Sequence, residues 1–240
     1  MAAPDWNLFY YASWQWPWAL LVVPFAYLAM RAATQAPRGG AVPSEARFVS
    51  GWLLLFAVET MLDPIATGPL TKALGNETAG TALGLSFVLL GDFRVYWLVL
   101  HLLAPADGLG RSAGRAAALT ALVPLVAGLG NAALDRLMGG VPGQVLWLLH
   151  ESSFVVVALV LARRVVPARL GEGGERSTFL RIVLGYVVAY YALWAAADVM
   201  ILAGLDEGWA IRLVPNQLYY AFFIPFVHLA FFRSKSKSKS

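Results

Sequence analysis

Acidic side chains interrupt the long apolar segments of this sequence, and their spacing suits proton transfer or cation binding. Glu59 and Asp63 are four residues apart, so on a helix both carboxylates lie on one face. An ionisable side chain inside a bilayer costs about 2.5–3.5 kcal/mol on insertion scales, and it is usually paired or functional. Further polar residues follow in the later apolar segments, namely Asp92, Arg94, Asn131, His150, Glu151, Asp198 and Asn216.

Aromatic side chains accompany these polar groups at helical spacing. Tyr190, Trp194 and Asp198 succeed one another every four residues, which forms an aromatic ladder that ends in a carboxylate. Asn216 and Tyr219 are three residues apart and share a face in the same way. The pattern predicts a pocket lined by carboxylates and aromatic rings.

Membrane-spanning helices must position these residues, because the composition excludes other classes of protein. The 240 residues are 59% hydrophobic and 13% charged, with a mean hydropathy of +0.65. A soluble domain is about 45–50% apolar and about 25% charged. The predicted fold class is therefore all-α, a polytopic bundle of membrane helices.

Seven segments have the roughly 20 apolar residues that cross a bilayer. Short connections rich in Gly, Pro and Arg separate them, so we predict one domain over 16–233, preceded by an aromatic interfacial segment 1–15 and followed by a basic tail 234–240. The predicted spans are Trp16–Met30, Phe48–Thr67, Ala79–Leu103, Ala116–Asp135, Gly143–Leu161, Ile182–Ala203 and Leu213–Phe232.

The distribution of basic residues predicts the orientation. Of the 18 Lys and Arg residues, fourteen lie in the connections after spans one, three and five or in the tail. Lys72, Arg136 and Arg212 lie in the opposite connections, and Arg94 lies within a span. Basic loops stay cytoplasmic, so we expect an outside N-terminus, a cytoplasmic C-terminus and a location in a bacterial inner membrane. Basic residues spread in this way do not indicate nucleic-acid binding.

This orientation gathers the polar residues in one layer. Asp92 falls near the mid-plane, and the outer half of the bilayer receives Glu59, Asp63, Asn131, His150, Glu151, Asp198 and Asn216. With Arg94 as the one permanent cation within the spans, this excess of acids requires bound protons, a bound cation or water.

The leading hypothesis is a transporter or channel-like protein that binds protons, metal cations or an organic cation. Its partners would be the lipid bilayer and that proton, cation or small amphipathic ligand. His150 would relay protons, Arg94 would be the counter-ion, and Asn131 and Asn216 would be neutral ligands. The proton or cation sites would be Glu59, Asp63, Asp92, Glu151 and Asp198, lined by Tyr190, Trp194 and Tyr219.

Two alternatives use the same residues. An intramembrane enzyme could act on a lipid or isoprenoid substrate, with acid–base groups drawn from Glu59, Asp63, His150, Glu151 and Asp198. In a receptor or assembly subunit, the polar layer would serve only to specify helix packing. Each hypothesis is compatible with a homo-oligomer.

The residue types exclude some cofactors. The span count resembles that of the microbial rhodopsins, but no Lys lies between Lys72 and Lys235, which excludes a retinal Schiff base. The chain has no Cys, so no Cys-ligated metal and no disulfide are expected. His101 and His228 are interpreted as interfacial residues near the cytoplasmic ends of their spans.

Overall fold

The computed structural model describes residues 5–11, 23–34, 43–75 and 77–237, and no β-strand occurs in that part of the chain. The all-α prediction is therefore confirmed. The helices are α1 (Trp6–Tyr11), α2 (Val23–Thr34), α3 (Ser44–Ile65), α4 (Thr71–Leu74), α5 (Glu77–Leu103), α6 (Gly108–Met138), α7 (Gln144–Val160), α8 (Val166–Leu170), α9 (Glu175–Leu202), α10 (Glu207–Gln217) and α11 (Phe223–Lys237).

Five helical segments are long and apolar enough to cross a membrane, as an integral membrane protein requires. They correspond to the second to sixth predicted spans. Their bounds are Ser44–Ile65, Thr78–Leu103, Pro105–Met138, Gln144–Leu170 and Glu175–Leu202.

The remaining predictions concern the two ends of the chain. The first predicted span, Trp16–Met30, lies partly outside the described residues, which include α2 from Val23 onward. The segment 1–15 is described only over residues 5–11. The seventh predicted span, Leu213–Phe232, falls on α10 and α11, and α11 runs on to Lys237. The count of seven spans therefore stays a prediction.

Large apolar side chains are exposed along the candidate spans. A helix that is apolar on its outward face as well as on its packed face is typical of a membrane span. Such residues include Leu54, Leu55 and Leu62 on α3, Leu122, Leu125 and Leu129 on α6, and Val156 and Val160 on α7. This surface suits contact with lipid chains.

The chain groups into two compact units, where the sequence predicts a single domain over 16–233. One unit, called unit A here, comprises Met1–Gln15 and Ala121–Tyr219; the other, unit B, comprises Trp16–Thr120 and Tyr220–Ser240. A hydropathy pattern locates helices along the chain but does not say which helices share a core, so this grouping was not predictable from it.

Unit A is built around α9, which packs against α7 and α10, while α1 packs against α10. Phe154 on α7 stacks on Tyr191 of α9, with ring centroids 4.2 Å apart and planes 12° from parallel. Val187 and Tyr190 are fully buried beside them on α9. Aromatic packing therefore fixes the register of the two helices that carry Glu151 and Asp198.

Unit B is built around α3, which packs against α2, α5 and α11. Trp52 on α3 donates an indole hydrogen bond of 3.0 Å to the backbone carbonyl of Arg94 on α5. Phe56 and Trp52 are buried, and Trp52 lies edge-on to Phe223 of α11. These contacts hold the helix pair that carries Glu59, Asp63 and Arg94.

Short π-helical turns interrupt three of the long helical stretches near prolines. Pro64 precedes the turn Ala66–Leu70, Pro167 follows the turn Leu161–Val165, and Pro215 precedes the turn Leu218–Phe222. Proline removes a backbone N–H and crowds the preceding turn, which favours a local change in helical register. The first and last of these turns lie within a few residues of Asp63 and Asn216, so the irregular backbone occurs beside polar side chains.

Candidate functional site

A buried arginine in unit B lies against a carboxylate on the neighbouring helix. Arg94 of α5 is 0% exposed, and its Nη1 lies 3.4 Å from Oε2 of Glu59 on α3. The same nitrogen donates a 2.8 Å hydrogen bond to Oγ1 of Thr60. The guanidinium also lies 4.8 Å from the ring centroid of Phe223, a cation–π distance.

Asp63 completes this group one helical turn after Glu59. Its Oδ2 accepts a 2.8 Å hydrogen bond from the hydroxyl of Tyr220, and its Oδ1 accepts a 3.3 Å hydrogen bond from Thr67. Tyr220 is absent from the predicted site, although it neighbours Tyr219 in the same aromatic stripe. We call Glu59, Thr60, Asp63 and Arg94 the Arg94 cluster.

A second buried arginine in unit A joins two carboxylates from different helices. Arg212 of α10 pairs with Oδ1 of Asp198 on α9, and its Nη2 lies 3.4 Å from Oε1 of Glu151 on α7. Gln144 donates a 2.6 Å hydrogen bond to the same Asp198 oxygen. We call Gln144, Glu151, Asp198 and Arg212 the Arg212 cluster.

The position of Arg212 corrects the sequence interpretation, which placed it in a connection outside the spans and left Arg94 as the sole internal cation. The structure buries Arg212 because Glu207–Gln217 is helical, and packing of α10 against α9 turns this face inward. The signal was present in the sequence. Arg212 precedes Asn216 by four residues and therefore lies on the same face of the helix.

The predicted aromatic ladder also forms in unit A. Trp194 donates a 2.9 Å indole hydrogen bond to Oδ1 of Asn216, whose amide nitrogen lies 3.3 Å from the hydroxyl of Tyr10. The rings of Tyr190 and Trp194 have centroids 5.4 Å apart, and those of Trp194 and Tyr219 have centroids 5.5 Å apart. The structure brings these predicted site residues together.

Three further predicted residues are Asp92 in unit B and His150 and Asn131 in unit A. Asp92 is fully buried on α5, two residues before Arg94. His150 is buried next to Glu151 and lies edge-on to Trp147, with ring centroids 6.2 Å apart. Asn131 is half-buried on α6, and its Oδ1 has no hydrogen-bond partner in the described part of the chain. The sequence predicts one polar layer; the structure distributes its members over two units.

Three carboxylate oxygens in the clusters are buried and lack a hydrogen-bond partner among the described residues. They are Oε1 of Glu59, Oε2 of Glu151 and Oδ2 of Asp198. A buried polar atom without a partner is rare and costly, since it loses its hydration without replacement. Each of these oxygens is a position where a proton or a small ligand would be stabilised.

Comparison with protein-family models, with curated proteins and with solved structures gives no match. Fold and composition define the chain as a helical integral membrane protein. In residues 5–11, 23–34, 43–75 and 77–237, no three His, Asp or Glu side chains are grouped closely enough to hold a metal ion.

Proposed function

We propose that this protein is a proton-coupled membrane transporter whose proton-carrying groups are the Arg94 cluster and the Arg212 cluster. The observation that supports this most strongly is the ratio of charges. In each cluster, a single buried arginine is accompanied by two buried carboxylates, Glu59 and Asp63 in one and Glu151 and Asp198 in the other.

A fully ionised cluster would hold one unbalanced negative charge. In a low-dielectric interior, an unbalanced charge costs several kcal/mol, and a bound proton removes that cost. Such a proton would reside on the oxygens of Glu59, Glu151 and Asp198 that lack a hydrogen-bond partner among the described residues. Release and rebinding of that proton would let each cluster alternate between a neutral and a charged state, as coupled transport requires.

The proposal includes seven spans, with the N-terminus outside and the C-terminus cytoplasmic. The helical stretch from Glu207 to Lys237 exceeds the roughly 20 residues that cross a bilayer, although a π turn divides it. The excess of basic residues after spans one, three and five supports the orientation. In this topology, the sequence positions of Glu59, Asp63, Glu151 and Asp198 fall in the outer halves of their spans.

The co-substrate that fits best is an organic cation. Tyr190, Trp194 and Tyr219 place three aromatic rings within one group, with centroids 5.4–5.9 Å apart. Aromatic faces attract organic cations by about 0.5–2 kcal/mol, depending on how far the site excludes water. Unit A supplies both these rings and the acidic Glu151 and Asp198.

Infrared spectroscopy tests the protonation state directly. The reconstituted protein at neutral pH should show the carbonyl band of protonated carboxylic acids, with the small downward shift in heavy water that such groups display. Glu59→Gln and Asp198→Asn should each remove part of this band. Glu172→Gln, which changes an exposed loop acid, is the matched control and should leave the band unchanged.

Transport is measured in proteoliposomes that contain a pH-sensitive dye. With an acidic lumen, external ethidium should cause the lumen to become alkaline as protons leave in exchange for the cation. Glu59→Gln and Asp198→Asn should slow this exchange at least about tenfold, the equivalent of about 1.4 kcal/mol. Unchanged carbonyl bands together with unchanged exchange in both variants would reject the proposal.

A further inference from the structure

A pocket of about 540 Å³ lies in unit B, at the ends of the helices opposite to those near Asp63. Its walls come from the first turns of α3, the last turns of α5, the turn Pro105–Asp107 and the start of α6. Pockets of about 300–1,000 Å³ are typical of small-molecule sites. None of the residues predicted to form the polar site lines this pocket, so it is a separate feature of the molecule.

Three aromatic side chains and two leucines contribute to the apolar part of the pocket lining. Phe48 and Trp52 on α3 line the pocket with Trp97 on α5, and the rings of Phe48 and Trp97 meet edge-on with centroids 5.6 Å apart. Leu55 and Leu109 line the same pocket and are 51% and 54% exposed. Exposed leucines on a membrane helix contact lipid chains, so the apolar wall continues onto the lipid-facing surface.

The polar part of the lining holds opposite charges. Glu45 and Arg47, in the first turn of α3, both line the pocket, and Arg47 forms no ion pair within the part of the chain that the structure describes. His101 also lines the pocket, and its Nδ1 lies 3.2 Å from Oγ of Ser112. The sequence interpretation treats His101 as an interfacial residue, and the structure places it in this wall, in the last turn of α5.

Gly51 leaves open space in the wall of the pocket. It lines the pocket from the middle of α3, and a Cβ atom added to it would contact nothing within 4 Å. Glycine inside a helix lowers helix stability by about 1 kcal/mol relative to alanine. Because it has no side chain, Gly51 leaves room near Phe48 and Trp52, which line the same pocket. Because a Cβ atom has room here, a larger side chain at this position would extend into the pocket.

We propose that this pocket binds a zwitterionic aminophospholipid such as phosphatidylethanolamine. The phosphate pairs with Arg47, the ammonium group pairs with Glu45, and an acyl chain lies across Phe48, Trp52 and Leu55 toward the bilayer. Arginine and phosphate form strong charge-assisted hydrogen bonds, and basic pockets beside membrane helices are established lipid head-group sites. The carboxylate of Glu45 favours a lipid head group that carries a positive charge as well as the phosphate.

Native mass spectrometry tests this proposal on the full chain, purified in detergent and mixed with equal amounts of phosphatidylethanolamine and phosphatidylglycerol. The wild-type protein should retain phosphatidylethanolamine preferentially. Gly51→Leu should reduce retention at least about tenfold by filling the pocket, while Gly51→Ala should retain the lipid. Arg47→Gln should weaken binding about tenfold, as expected for loss of a charged hydrogen bond.

Arg111→Gln is the matched control, because this exposed arginine lies at the same end of the helices but does not line the pocket. It should bind lipid like the wild-type protein. Equal retention of the two lipids, or displacement of the lipid by inorganic phosphate alone, would overturn the proposal. Unaltered lipid binding by Arg47→Gln would also overturn the proposal. This measurement tests the proposal even if Gly51→Leu fails to fold.

Discussion

Arg212 on α10 and Glu151 on α7 form a buried ion pair, with Nη2 of the arginine 3.4 Å from Oε1 of the glutamate. The two residues are distant in the sequence and belong to different predicted elements. Because Asp198 pairs with the same guanidinium, one cation links three helices of unit A. The ion pair thus links two helices. It also belongs to the Arg212 cluster, in which one arginine is accompanied by two carboxylates.

Removing that cation should destabilise unit A strongly. Arg212→Gln leaves Glu151 and Asp198 buried without a counter-ion, and breaking a buried pair in this way costs about 3–5 kcal/mol. Unfolding with a denaturing detergent measures the loss. Arg136→Gln, an exposed arginine near the end of α6, should change stability by less than about 0.5 kcal/mol. Combining Arg212→Gln with Glu151→Gln and Asp198→Asn should recover part of the lost stability.

The hydroxyl of Tyr220 should stabilise the folded protein through its hydrogen bond to Asp63. Tyr220→Phe removes the donor of the 2.8 Å hydrogen bond and leaves one carboxylate oxygen less well satisfied, which costs about 1–3 kcal/mol. A double-mutant cycle with Asp63→Asn isolates this contribution, because the two changes should not be additive. Strict additivity within about 0.3 kcal/mol would show that the contact does not stabilise the fold.

Stability should fall as pH rises through neutrality. If each cluster holds a proton when folded, and its carboxyl groups ionise near pH 4 once unfolded, the folded state binds more protons at neutral pH. The free energy of unfolding then decreases by about 1.4 kcal/mol per pH unit for each proton retained. Unfolding in a weakly buffered solution should release those protons, as a pH indicator would show.

The double variant with Glu59→Gln and Asp198→Asn is the control for this pH dependence. It removes one titrating group from each cluster, so its stability should vary less with pH than that of the wild-type protein. A stability that rises with pH in the wild-type protein would show that the carboxylates are ionised in the folded state.

Gly208 should not tolerate a side chain. A Cβ atom at this position would lie 2.7 Å from the carbonyl oxygen of Ala197 and 2.9 Å from the backbone nitrogen of Ile201. Gly208→Ala should therefore destabilise the protein by about 1–3 kcal/mol, through forced separation of α9 and α10. Gly185→Ala, at a helical position with nothing within 4 Å, should be neutral or stabilising by up to about 1 kcal/mol.

Hydropathy alone predicts much of the fold, because a membrane helix needs an apolar run of nearly fixed length. The five candidate spans of the structure each carry such a run. The stretch Glu207–Gln217 is more polar, and there the sequence interpretation placed Arg212 in a connection. Its spacing from Asn216 indicates a shared helix face, but its ion-pair partners Glu151 and Asp198 are far away in the sequence, so the pairing itself required the structure.

Helical spacing predicts the part of the candidate site that lies on a single helix. Residues on one helix, such as Glu59 with Asp63 or Tyr190 with Trp194, follow from spacing alone. Contacts between helices do not, and the pairing of Glu59 with Arg94 required the structure. The aromatic pocket beside His101 is also a tertiary feature, since its walls come from three helices and a turn.

Trp52 lines the pocket and donates its indole hydrogen to the backbone carbonyl of Arg94, whose guanidinium lies beside Glu59. One side chain therefore contacts both the proposed lipid and the backbone that carries the buried cation. If lipid binding moves Trp52, thermodynamic linkage requires that lipid affinity and proton affinity alter each other by the same factor. The lipid composition of the membrane would then set the pH range over which the protein works.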